Sequence, residues 1–138
     1  MSVTVSVRRA PEFTYVVTLI ACVTAVSLVS AISDIPNVRY VTLMRKNNQN
    51  LPLEQNWDRN HIDFSEVNVF NSSGVNVAFK KSRVSSQPYD WPLSNSVDGN
   101  VQTLFGLYTS SPLAGQWWEV DLERTYNVVR VDFYGRAS

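Results

Sequence analysis

Residues 116–122 read QWWEVDL. In an extended chain, neighbouring side chains point to opposite faces. Trp118, Val120 and Leu122 therefore share an apolar face, and Glu119 and Asp121 share the polar one. This alternation predicts a strand with one buried side. It leaves Trp117 over, either on the polar face or at the point where the strand begins. The same signal recurs along the chain. Val38 to Met44 reads as a strand with Val41 and Leu43 on one face. Ile62 to Phe70 alternates as Ile62 and Phe64, then Val67 and Val69, so the phase breaks near Ser65 and predicts a bend or bulge. Val128 to Tyr134 reads as the last strand, with Val129, Val131 and Phe133 on an apolar face.

Turn-forming residues separate these segments. Residues 45–60 are polar and rich in Asn, and read as a loop. Asn71-Ser72-Ser73-Gly74 reads as a turn, followed by a short apolar segment, Val75 to Phe79. Residues 85–100, SSQPYDWPLSNSVDGN, read as an irregular surface loop with an Asp-Gly pair. No helical periodicity follows Ile32. The chain after that point is therefore expected to be all-β, a sandwich or barrel. The apolar face at Val129, Val131 and Phe133 needs more partners than the preceding strands supply. Open sheet edges that pair with another chain are expected to follow.

The N-terminus differs in kind. Arg8 and Arg9 precede Phe13 to Ser33, which carries no charge, and Val29-Ser30-Ala31 fits a signal-peptidase site. Residues 1–31 are expected to be a signal peptide cut after Ala31. The alternative is an N-terminal membrane anchor formed by residues 13–33. Either reading gives residues 32–138 as one domain that is secreted or held at the membrane. Cys22 is the only cysteine, so a cleaved chain has no disulfide, no Cys/His zinc set and no Cys nucleophile.

Charge and motif exclude several function classes. The 138 residues carry 12 basic and 12 acidic side chains. No basic stripe with interleaved aromatics appears, which argues against nucleic acid. Lys80, Lys81 and Arg83 form the densest basic group, which reads as a solvated surface, with an anion site as the alternative. His61 is the only histidine and no GxSxG motif supports a triad. Glu119 and Asp121 lie on one strand face, not across a cleft as glycosidase carboxylates do. The chain is expected not to be an enzyme.

Binding chemistry remains. Asp98-Gly99-Asn100 supplies a carboxylate, a sharp turn and an amide oxygen, the oxygen donors that a hard cation takes. Thr103 and Thr109 could add hydroxyls or carbonyls. A plain turn is the competing reading. Asn71 opens a glycosylation sequon on a predicted turn. Trp57, Tyr89, Trp91, Tyr108, Trp117 and Tyr134 fall on loops or polar strand faces, where aromatic rings can stack on sugars; some of them fill the core instead.

Three segments in order, SEVNVFNSSGVNVAFKKSRVSSQ, SNSVDGN and WWEVDLERTYNVVRVDFYGR, resemble the discoidin or coagulation factor V/VIII type C domain, a galactose-binding-like group that includes the fucolectins. The resemblance covers residues 38–138. It implies a jelly-roll β-sandwich, incomplete at the C-terminal end, and a non-catalytic extracellular module that binds carbohydrate, or in other members phospholipid or protein. It also implies calcium on the DGN loop through Asp98, Asn100, Thr103 and Thr109. Arg136 matches a family arginine and is the expected donor to sugar hydroxyls, with Trp91 or Tyr108 stacking on the ring. The expected partner is a cell-surface glycan or extracellular polysaccharide; the alternative is adhesion to a phospholipid membrane or a protein through apolar loop tips such as Leu51, Trp57 and Trp91. The sequence departs from the pattern at Lys80, which stands where Gly is common. His61 lies far upstream of the fucolectin sugar-binding histidine, so Arg136 alone matches the fucose-binding set.

Overall fold

The computed structural model describes residues 3–9, 14–19, 28–45, 63–85, 92–102, 107–108 and 117–135. In chain order the strands are β1 (Val3–Arg9), β2 (Thr14–Leu19), β3 (Leu28–Arg45), β4 (Asp63–Asn71), β5 (Ser82–Ser85), β6 (Leu107–Tyr108) and β7 (Trp117–Gly135). A 3-10 turn, Leu93–Val97, precedes the DGN loop. The strands form one antiparallel sheet in the order β2-β1-β3-β7-β4-β6, with β5 paired separately to β7. The described fold is all-β, as the sequence reading expects.

β7 organises the sheet. Its first half lies between β3 and β5, and its second half between β3 and β4. The sequence suggests two strands here, Trp118–Leu122 and Val128–Tyr134. The structure joins them, because β3 pairs on both sides of the polar stretch: Tyr40 opposite Asp121, and Val38 opposite Tyr126. The ladder is irregular between these pairs, and Glu123 takes a left-handed φ of 69° there. Residues 123–125 are exposed at this bend.

Alternation sorts most of the core as expected, except that in the second half of β7 Val128 is buried and Val129 only half-buried. Trp118, Val120 and Leu122 are fully buried, as are Val41 and Leu43. Val41 pairs with Val120 and Leu43 with Trp118, so their apolar side chains share one face. In the other half of β7, Val67 faces Phe133 and Val69 faces Val131. Phe64 joins the halves: its ring meets Trp118 edge-on at 5.5 Å and Phe133 at 5.2 Å. The phase break at Ser65 is a register shift between Phe64 and Glu66. It keeps both Phe64 and Val67 in the core, which strict alternation would forbid.

Two segments differ from the sequence reading. The 85–100 stretch is not wholly a surface loop: Ser96 and Val97 are buried, and Leu93 packs against the core. The reason is the polar end of Trp118. A buried indole N–H needs an acceptor, and Ser96 Oγ provides it at 3.1 Å while donating to Leu93 O at 2.6 Å. Glu119 and Asp121 are also more than a solvated surface. Thr42 Oγ1 donates to Glu119 Oε2 at 2.6 Å, and Arg39 grips both Asp121 oxygens at 2.9 and 3.0 Å. This bidentate hydrogen bonding holds the Asp121 carboxyl below its ordinary range.

The N-terminal stretch enters the sheet through its backbone. β1 pairs along β3, with Val5 opposite Leu43 and Val7 opposite Val41, and β2 pairs along β1. A cut after Ala31 would fall inside β3 and detach β1 and β2. Among the described residues no helix is long and apolar enough to cross a membrane.

Burial makes a direct prediction. Leu43→Ala should lower the unfolding free energy by about 2–5 kcal/mol. Val101→Ala, at a half-exposed position, should change it by about 0.5 kcal/mol or less. Urea denaturation of the two variants beside the parent checks this.

Candidate functional site

The DGN loop is built as two successive Asx turns. Asn100 N–H donates to Asp98 Oδ1 at 2.8 Å, and Gln102 N–H donates to Asn100 Oδ1 at 3.1 Å. Side chains of this type bind backbone groups two residues on and so stabilise tight turns. Gly99 sits between them at φ 86°, in the region that disfavours side chains. It has a second reason to be glycine: a Cβ here would come within 3.0 Å of the Phe79 ring.

Three contacts from distant parts of the chain hold this loop in place. Lys80 N–H donates to Val97 O at 2.8 Å. Ser65 Oγ lies 3.0 Å from Val101 O and 3.2 Å from Tyr134 O, so its one proton serves either carbonyl. The Gly99 N–H donates to Glu66 Oε1 at 3.1 Å. The β4 bulge thus grips both sides of the turn with consecutive residues.

Glu66 is the unusual member. It is fully buried, and its Oε2 has no hydrogen-bond partner. Desolvation pushes its carboxyl from 4.5 up to about 7, the Gly99 N–H pulls the other way, and the nearby Asp98 charge adds to the rise. A buried, half-satisfied carboxylate beside a second carboxylate is costly unless a proton or a cation joins it. Oxygen donors of this kind suit a hard cation. Among the described residues, no three His, Cys, Asp or Glu side chains converge on one point. A cation here would therefore also draw on amide, hydroxyl or carbonyl oxygens.

The sequence-predicted residues divide accordingly. Asp98 and Asn100 are brought together in the loop, with Asp98 half-buried and Asn100 exposed. Thr103, Thr109, Trp91 and Arg136 lie outside the described residues, as do Leu51, Trp57, His61 and Tyr89. Tyr108 is placed by its backbone in β6, opposite Asp63. Asn71 ends β4, where its Oδ1 accepts the N–H groups of Ser73 at 3.0 Å and Val75 at 2.9 Å. The NSSG segment is the expected turn, with Gly74 at φ 76°. Trp117 begins β7 and is half-buried. Sequence reasoning missed Glu66, and the phase break at Ser65 was its only local sign.

Residues 80–138 match the family model of the F5/8 type C domain. This segment, which contains the DGN loop and β7, is thus similar to discoidin domains over somewhat less than half of the chain. F5/8 type C domains are binding modules without catalytic activity, and as a group take carbohydrate, phospholipid or protein ligands. Glu66 lies outside the matched segment. No curated protein and no solved structure gives a significant match.

The Glu66 carboxyl sets a pH dependence. It ionises near 4.5 in the unfolded chain and near 7 in the fold. Between these values the folded chain holds a proton that the unfolded chain has released. In calcium-free solution this group's contribution is therefore full below pH 4.5, declines as pH rises towards 7, and is flat above. The decline is on the order of a few kcal/mol at most. Glu66→Gln keeps an oxygen for the Gly99 N–H but carries no charge. Its unfolding free energy should lose this decline and exceed that of the parent at pH 8. Chemical denaturation between pH 4 and pH 8 checks both points.

Proposed function

We propose that the chain is a non-catalytic extracellular carbohydrate-binding module whose DGN loop is stiffened by calcium. The observation that carries the calcium reading is the buried, unpartnered Glu66 Oε2 beside Asp98. Asp98, Asn100 and Glu66 would hold the ion, with Thr103 and Thr109 completing its oxygen shell. Calcium would neutralise the two neighbouring carboxylates and tie the loop to β4. The F5/8 type C match supports a binding role for the same loop, and the sequence resemblance supports carbohydrate as the ligand class. Arg136 would donate to sugar hydroxyls, with Trp91 or Tyr108 stacking on the ring. The ligand would be a cell-surface glycan or extracellular polysaccharide. Export would use residues 1–31 as a cleaved signal, or residues 13–33 as an anchor.

The test is a glycan array with the full chain, with and without a calcium chelator. The proposal expects glycan binding that weakens at least about tenfold on chelation, a change of about 1.4 kcal/mol. Asp98→Ala should reproduce the chelated behaviour in the presence of calcium. Glycan binding indifferent to chelator would remove calcium from the account. No glycan bound under either condition, with retention on phospholipid vesicles or on a protein partner instead, would replace the carbohydrate reading with adhesion.

A further inference from the structure

Beside the DGN loop stands a side-chain pair that the proposed ligand set does not use. Residues 78–81 form a tight turn, closed by the Lys81 N–H on Ala78 O at 3.0 Å. Lys80 occupies its third position with a φ of 55°. That conformation is the natural place for glycine and is strained for any residue with a Cβ. A lysine persists here all the same. Backbone strain at an exposed, non-glycine position motivates a search for what the side chain does.

The surroundings of Lys80 supply an answer. Its ammonium lies 5.0 Å from the centre of the Phe79 ring. The Phe79 side chain is 45% exposed, although one ring edge rests against Gly99 of the DGN turn. The neighbouring Lys81 is engaged by Glu123 Oε2 at 2.6 Å. Lys80 has no carboxylate partner among the described residues. Among the described residues, the turn therefore presents a partly exposed aromatic ring with a lysine ammonium over it on a flexible stem, both set against the loop that the proposed function uses.

We infer that Phe79 and Lys80 form a sugar subsite for an acidic glycan: the ring stacks on the C–H face of a pyranose, and the Lys80 ammonium binds its carboxylate. This deepens the carbohydrate reading and rests on it. Aromatic rings offer an apolar face of suitable size for such stacking, and a lysine ammonium is a compact partner for a single anionic group. An anionic membrane fits the patch less well. Electrostatic lipid binding uses clusters of about 4–8 basic residues. Here Lys81 is engaged by Glu123, Lys80 is left without a carboxylate partner among the described residues, and the exposed apolar side chains around the turn are Phe79 and Val101.

The test uses the full chain and two variants, Lys80→Gly and Phe79→Leu. The probes are a polyuronate oligosaccharide, the same oligosaccharide with its carboxyls reduced to alcohols, and phosphatidylserine vesicles. Binding is read by calorimetry and folding by thermal melting. The parent should bind the polyuronate at least about tenfold more tightly than the reduced sugar. Lys80→Gly should abolish that preference while raising the melting temperature, since it relieves the left-handed strain. A purely structural lysine would not produce this opposite movement. Phe79→Leu should weaken both sugars about tenfold with the fold retained. Equal binding of the two sugars by the parent, or an unchanged preference in Lys80→Gly, overturns the subsite and leaves the carbohydrate reading standing. Binding of vesicles with no sugar bound overturns both.

Discussion

Glu66 carries its carboxylate into the interior, and Oε1 accepts the Gly99 N–H at 3.1 Å. The hydrogen bond does two things at once. It satisfies half of a group that is expensive to bury, and it fixes the turn between Asp98 and Asn100 against β4. The other oxygen is left without a partner. A proton or a bound cation can meet that need, and the two states would hold the same loop with different charge. The local design of the site follows from this unsatisfied atom.

The rest of the fold makes that arrangement possible. Glu66 reaches the loop because a register shift at Ser65 breaks the alternation of β4. The shift is secured by Phe64, whose ring is wedged between Trp118 and Phe133 from the two halves of β7. Trp118 in turn fixes Ser96, and the 3-10 turn that contains Ser96 runs into Asp98. A line of contacts thus passes from the central strand to the binding loop through the core. The tryptophan pair in QWWEVDL is divided by this logic. Trp118 anchors the loop from beneath, and Trp117 stands at the strand entrance.

Much of the strand pattern was legible because sheet burial has a period of two. Val41, Leu43, Trp118, Val120 and Leu122 are buried as alternation requires. The bulge at Ser65 and the turn at NSSG were legible for the same local reasons. Glu66 was not legible, since in EVNVF it occupies what reads as an outward polar position. It is buried only because a loop more than thirty residues later folds over it, and no local pattern encodes that. The continuity of β7 was hidden likewise, because it depends on β3 pairing on both sides of the irregular stretch, Tyr40 with Asp121 and Val38 with Tyr126. The pairing of Asp121 with Arg39 spans 82 residues, and alternation assigned the carboxylate to a face without naming its partner. In the site itself, Asp98 and Asn100 were found from residue type, whereas the groups that hold their loop came from tertiary structure.

The most direct measurement is the ionisation of Glu66 itself. Carboxyl-carbon NMR of the full chain, followed between pH 3 and pH 9 with and without calcium, reads this group by its own signal. The account predicts a midpoint near 7 in calcium-free solution, and a midpoint moved down by several units when calcium is present. A midpoint near 4.5 that calcium leaves unmoved would contradict it. The carboxylate would then be solvated, and the DGN turn would rest on β4 without the electrostatic tension from which the site has been derived.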